Sequence, residues 1–214
     1  MNARKILKKS AFFLFILLGG IYFSCTDDED IESSDVNSEY LKAAKTILKD
    51  SIVLNATAMM GTVNKTCLDE GCPLKYFFEW RENDSLNIQL REFSVGKMPV
   101  TIWFSVNVKF MNLNSWEQDE YTDKGWIKFK GSGGITNYTG DAEDYEDGSG
   151  GSGSVKGYFN GITNEIEFVT SFNVMNMSAD VFQQGIDLTR MATYDADFAQ
   201  YELDLIQCKI DKGY

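Results

Sequence analysis

From residue 100 to residue 110 the chain alternates. Val100, Ile102, Phe104, Val106, Val108 and Phe110 are apolar, and Thr101, Ser105, Asn107 and Lys109 between them are polar, with Trp103 the exception. A helix would scatter these apolar residues around its circumference, whereas a strand places residues i, i+2 and i+4 on one face. The segment therefore requires a sheet with one apolar side. The same period recurs at Leu74, Tyr76, Phe78 and Trp80, at Leu86, Ile88 and Leu90, and at Ile166, Phe168, Thr170, Phe172 and Val174. Asn83 and Asp84 separate the first two of these runs and predict a hairpin turn. Further strands are expected over residues 52–63, 125–130 and 155–160, and a last one, poorer in pattern, over about 197–210. Residues 178–184 read as a short helical turn ended by Gly185.

A helical period appears over residues 37–50. Tyr40, Leu41, Ala44, Ile47 and Leu48 form one stripe, with Asn37 or Ser38 placed to cap its start. About eight strands joined mostly by tight turns make a meander, because sequential strands usually pair. A long meander has exposed edges, and closing it removes them. The expected fold is mainly β: an antiparallel up-and-down β-barrel of about eight strands with one short N-terminal helix. A two-sheet β-sandwich is the alternative. The polar alternate face excludes a membrane-spanning barrel, whose outside must be apolar.

The beginning of the chain is of another kind. Arg4, Lys5, Lys8 and Lys9 precede an apolar run over residues 11–24, which ends at Cys25 and is followed by Asp27, Asp28, Glu29 and Asp30. The run is shorter than the ~20 residues a bilayer crossing needs, and a basic head before a short apolar core reads as an export signal. Tyr22-Phe23-Ser24-Cys25 resembles a bacterial lipobox, in its looser form similar to that of Bacteroidota lipoproteins, which implies lipidation of Cys25. The acids that follow resemble the tag that sends such lipoproteins to the outer face of the outer membrane. The expected organisation is residues 1–24 as a lipoprotein signal peptide, 25–36 as an acidic disordered tether, and 37–214 as a single β-barrel-like domain. Signal, short helix and meander together resemble the uncharacterised Bacteroidota surface lipoproteins with calycin-like (lipocalin-like) barrels. That resemblance implies a fold and leaves function undefined.

Composition sets limits. The chain carries 20 Lys+Arg against 32 Asp+Glu, a net charge of −12, and the four bases before the apolar run make the remainder more acidic still. Such a chain does not suit nucleic acid, which requires clustered positive charge. It has no histidine, which excludes Ser-His and Cys-His catalysis and every His metal ligand. With Cys25 lipidated, Cys67, Cys72 and Cys208 remain, in a compartment where disulfides persist. Cys67 and Cys72 bracket the turn-like LDEG, and their pairing is favoured; a bond from Cys208 to one of them is the rival.

Candidate sites are few. Trp116, Tyr121, Trp126, Tyr138 and Tyr145 are interleaved with acids, the mixture a glycan-contact surface needs, and cross-strand aromatic pairing would produce the same pattern. Asp141, Glu143, Asp144, Glu146 and Asp147 offer oxygen ligands for Ca²⁺ but lack EF-hand spacing, and a solvated loop is preferred, leaving no metal site. The GSGGSG at residues 148–153 matches a dinucleotide fingerprint in letters only and reads as a hairpin tip. A small barrel is either filled by side chains or holds one ligand. No catalytic residues and no cofactor are expected. The functional expectation is a non-catalytic, membrane-anchored binding module for a small apolar ligand or a glycan. The alternative is a structural or accessory outer-membrane lipoprotein acting through protein–protein contacts. Oligomeric state is not legible in the residues.

Overall fold

The computed structural model describes residues 36–140, 148–149 and 151–213. In chain order these form helix α1 (Ser38–Ile47), strands β1 (Asp50–Met60), β2 (Val63–Asn64), β3 (Cys72–Trp80), β4 (Ser85–Phe93) and β5 (Val100–Met111), and helix α2 (Ser115–Glu120). There follow β6 (Trp126–Gly140), β7 (Gly148–Ser149), β8 (Gly153–Asn160), β9 (Glu165–Ser171), β10 (Met177–Gly185), a 3₁₀ turn (Leu188–Ala192) and helix α3 (Tyr194–Asp211). The expected signal, Cys25, nearly all of the tether and the Asp141–Asp147 acids with Tyr145 lie outside the described residues.

Eight strands pair in the order β1-β3-β4-β5-β6-β8-β9-β10, and β10 returns to pair with β1, so the sheet is a closed antiparallel barrel. The two-residue strands β2 and β7 attach to β1 and β6 respectively. The meander is therefore the up-and-down barrel that the alternating runs predict. Asn83 and Asp84 turn β3 into β4, both left-handed with φ of +56° and +55°, and the connection is closed by the Arg81 N–H donating to the Ser85 carbonyl at 2.8 Å.

The seam between β1 and β10 shows how closure is completed. Ladder pairing runs from Ala56↔Val181 to Met60↔Met177, and β10 then bulges between Val181 and Gln184. Beyond the bulge the Gln184 side chain takes over: its Oε1 accepts from the Asn55 backbone N–H at 2.9 Å and its Nε2 donates to the Asn55 carbonyl at 2.8 Å. An amide side chain thus satisfies backbone groups that the departing strand leaves behind.

Apolar residues of all eight barrel strands point into one core. Tyr76, Phe129, Phe159, Phe172, Leu54, Ile88 and Ile102 are fully buried there. The rings interlock: Tyr76 meets Phe168 edge-on at 4.9 Å, Phe129 lies 5.9 Å from Phe168, and Phe172 contacts both Phe93 and Phe104 at 5.0 and 5.4 Å. Gly157 makes this density feasible, since a Cβ there would sit 2.2 Å from the Cβ of Phe168. At the start of β1, α1 buries Leu41, Ala44 and Leu48, and Trp80 Nε1 donates to the Leu48 carbonyl at 2.7 Å. Asn37 caps α1 by accepting from the Glu39 and Tyr40 N–H groups.

Two predicted elements differ. Residues 178–184 belong to strand β10, where Met177, Ala179 and Val181 turn inward to complete the wall; the closing ladder overrides local helical preference. Residues 197–210 lie in an 18-residue helix, with Tyr201 and Leu205 buried on one side. Helix α2, unforeseen, begins with a capping box: the Asn114 side chain accepts from the Glu117 N–H, and Glu117 accepts from the Asn114 N–H.

Candidate functional site

Three regions could carry function: the barrel interior, the outer sheet face under α2, and the surroundings of α3. The interior contains side chains where a ligand would sit. Two open surface hollows among the described residues lie elsewhere, one around residues 36–39 and one of about 220 Å³ beside α3. Two hydroxyls, those of Tyr76 and Thr170, are buried as neighbours in the core without a well-formed hydrogen bond. Burial, foremost, pushes the Tyr76 phenol well above its ordinary range.

The outer face of β6, β8 and β9 carries a polar row. Lys128, Tyr158 and Glu167 are consecutive cross-strand partners. Helix α2 lies over this row, and its residues four apart reach down one face. The fully buried Glu117 carboxylate accepts from the Tyr158 hydroxyl at 2.9 Å and pairs with Lys128 at 3.2 Å and Lys156 at 3.7 Å. Tyr121 donates to Glu167 and stacks on Tyr158 at 4.2 Å and against Trp126 at 5.0 Å. Burial alone would raise the Glu117 carboxyl. The donors from the Asn114 backbone, Tyr158 and Lys128 outweigh it and hold the group below the usual carboxylate range. Both phenols are pushed up, first by burial and then by the carboxylates they face. These groups keep their protons and donate; they do not act as bases. The network fastens α2 to the barrel.

The predicted aromatic set is therefore divided. Tyr121 and Trp126 come together as packing partners, joined by Tyr158. Trp116 is 58% exposed, with Lys156 Nζ 5.6 Å from its ring and 5.8 Å from that of Tyr158. Tyr138 packs against the core near the far end of β6, twelve positions from Trp126, which is on the order of 35 Å along a strand. Tyr145 lies outside the described residues. Glu117, Lys128, Tyr158 and Glu167 were missed; the Asn114-to-Glu117 capping box was the available signal for the helix that gathers them.

Around α3 the favoured Cys67–Cys72 pairing is corrected, and the rival bond from Cys208 is the one that forms. Cys67 bonds to Cys208, 141 positions away, with Cα atoms 6.3 Å apart, and Cys72 is a free, buried thiol. The reason is orientation. Cys72 begins β3 on its core-facing side, whereas Cys67 sits in the preceding turn at φ +62°, next to the last turns of α3. Burial pushes the Cys72 thiol up to about 12, so it is unreactive at neutral pH. Beside α3, the 220 Å³ hollow brings together Asn55, Glu70, Arg190, Asp197, Gln200 and Asp204. Its guanidinium is already engaged, Arg190 donating to Asn55 Oδ1 at 2.7 Å. Among the described residues, no group of three or more Cys, Asp and Glu is placed to hold a metal ion.

No curated protein and no solved structure matches this chain. A family model does match, over residues 25–213, and the chain accordingly belongs to the family described as a domain of unknown function, DUF4903.

Proposed function

We propose that the protein is a lipid-anchored surface lipoprotein of the outer membrane, built on a calycin-like barrel, which acts without catalysis through contacts with another protein. The observation that carries this reading is the filled interior. Calycin-type ligand binding needs a hollow barrel, and here interlocked rings occupy that space. What the barrel offers is its exterior. The absence of histidine from the sequence and the saturation of Glu117 by its own neighbours support a non-catalytic role. The basic head, short apolar run and lipobox-like Cys25 support the anchor, as does a family match that opens at Cys25.

The test has two arms. Labelled palmitate should enter the full chain and not the Cys25→Ser variant, and protease added to intact cells should degrade the protein. Mild-detergent extraction followed by crosslinking should then recover it in a defined protein complex. Native mass spectrometry showing a bound small molecule at one-to-one stoichiometry would overturn the contact reading.

A second reading rests on Trp116. An exposed indole beside Lys156 and the acids of α2 can stack on a sugar ring and bond its hydroxyls. Glycan-array binding that Trp116→Ala abolishes would favour it.

A further inference from the structure

Helix α3 is apolar on two sides. Tyr201 and Leu205 are buried against the barrel. The opposite side carries Ala196, Ala199, Leu203, Ile206 and Ile210, all exposed, the last three at 62%, 59% and 62%. Their spacing of 3, 4, 3 and 4 is the pattern of a helix that packs along another helix. At 3.6 residues per turn they occupy an arc of about 80°, pointing away from the buried side.

The charges beside this stripe are polarised. Asp195 and Glu202 flank its first half, and Lys209 flanks the second half on the same side. Lys65 and Lys97 stand near Lys209, whose Nζ donates to the Gly96 carbonyl at 3.3 Å. Among the described residues none of these three lysines pairs with a carboxylate. Burial, and then the two neighbouring lysines, lower the pKa of Lys209. On that side of the stripe a chain of net charge −12 thus has Asp195 and Glu202 beside the first half and three lysines gathered beside the second.

We propose that α3 is the seam of a homodimer in which the α3 helices of two copies pack antiparallel about a two-fold axis passing between Leu203 and Ile206. The inference rests on the contact reading above and names the partner as a second copy. Self-complementarity argues for it. In the antiparallel register Leu203 of one copy faces Ile206 of the other, and Ala199 faces Ile210, so small meets large in each outer layer. Glu202 of each copy lies beside Lys209 of the other and brings a carboxylate to the cation cluster. Parallel packing would set Ala199 on Ala199 and Ile210 on Ile210, and would leave Lys209 without an acid. A two-fold contact is closed and limits itself to two copies. In this register residues 198–211 of the two helices overlap, a seam of about 21 Å at ~1.5 Å per residue. So short a seam buries little surface, and the dimer is expected to be weak in dilute solution and favoured where a membrane concentrates the copies.

The test uses the full chain in membranes, with a photo-crosslinking amino acid at position 206. The expected product has twice the chain mass, and its crosslinked peptide maps to the segment around Leu203 of the same sequence. Copies carrying Glu202→Lys should lose most of this product, as should copies carrying Lys209→Glu. Mixing the two should restore it, because each mixed dimer regains both opposite-charge contacts; a structural role for either residue would not produce that rescue. Unchanged melting of each variant shows that the fold is intact. A product with a different protein overturns the second-copy inference and leaves the contact reading standing. No product from position 206 or from any other exposed position overturns both. A dimer that survives the single charge swaps, or that mixing fails to restore, overturns the antiparallel register.

Discussion

The two helices that follow β5 and β10 are attached to the same barrel in opposite ways. Helix α2 has six residues and places Glu117 and Tyr121 onto the sheet, where Lys128, Tyr158 and Glu167 satisfy them. Its polar groups are completed by its own chain. Helix α3 has 18 residues, is held by one buried side and a disulfide, and turns Leu203, Ile206 and Ile210 to solvent. Its outward side has no such completion among the described residues. A surface element whose chemistry closes internally is architecture. One that leaves a patterned apolar stripe exposed is where to look for another molecule.

The sharpest way to break this contrast is Glu117→Ala. It removes the buried carboxylate that Lys128 and Tyr158 face, and removing one partner of a buried pair costs about 3–5 kcal/mol. Urea denaturation should show a loss of that size; a loss below about 1 kcal/mol would mean that α2 is not held by this pair. Next is Cys208→Ser, expected to cost about 2–4 kcal/mol, as removal of a long-loop disulfide does. Hydrogen exchange should then find the last turns of α3 the first to lose protection.

A smaller effect is the pH dependence of Glu117. Its folded pKa is depressed, so the stability it contributes is complete above the unfolded value of about 4.3. That contribution is lost as pH falls through the folded value. The Glu117→Gln variant should show a flatter acid limb below about pH 4.5 than the wild type. Least of all, Ile206→Glu and Trp116→Ala should change monomer stability by no more than about 0.5 kcal/mol, as exposed positions do. A large loss at Ile206 would mean that the stripe serves the monomer.

The walls of the barrel were legible because the side-chain period of a strand is 2 and one face is buried: residues 74–80, 86–90 and 100–110 are strands, as their alternation predicts. Helix α3 was hidden by its own second apolar side. Tyr201, Leu203 and Leu205 alternate with Glu202 and Asp204, so a helix apolar on two sides imitates a strand over five residues. Strand β10 was hidden because its pairing with β1 is set by closure, a contact between residues more than a hundred positions apart. The polar row under α2 follows from strand register, which alternation alone does not supply across separate hairpins. The disulfide turned on which way two backbones point, and spacing between cysteines carries no such information.

The bond between Cys67 and Cys208 has a consequence for how the molecule comes into being. Both it and the β1–β10 ladder join the first part of the chain to the last. A nascent molecule that has not yet delivered its final forty residues has neither a closed wall nor a covalent lock. Once oxidised, the chain is a ring from Cys67 to Cys208, and a single peptide cut anywhere within it leaves the two pieces tied as one body.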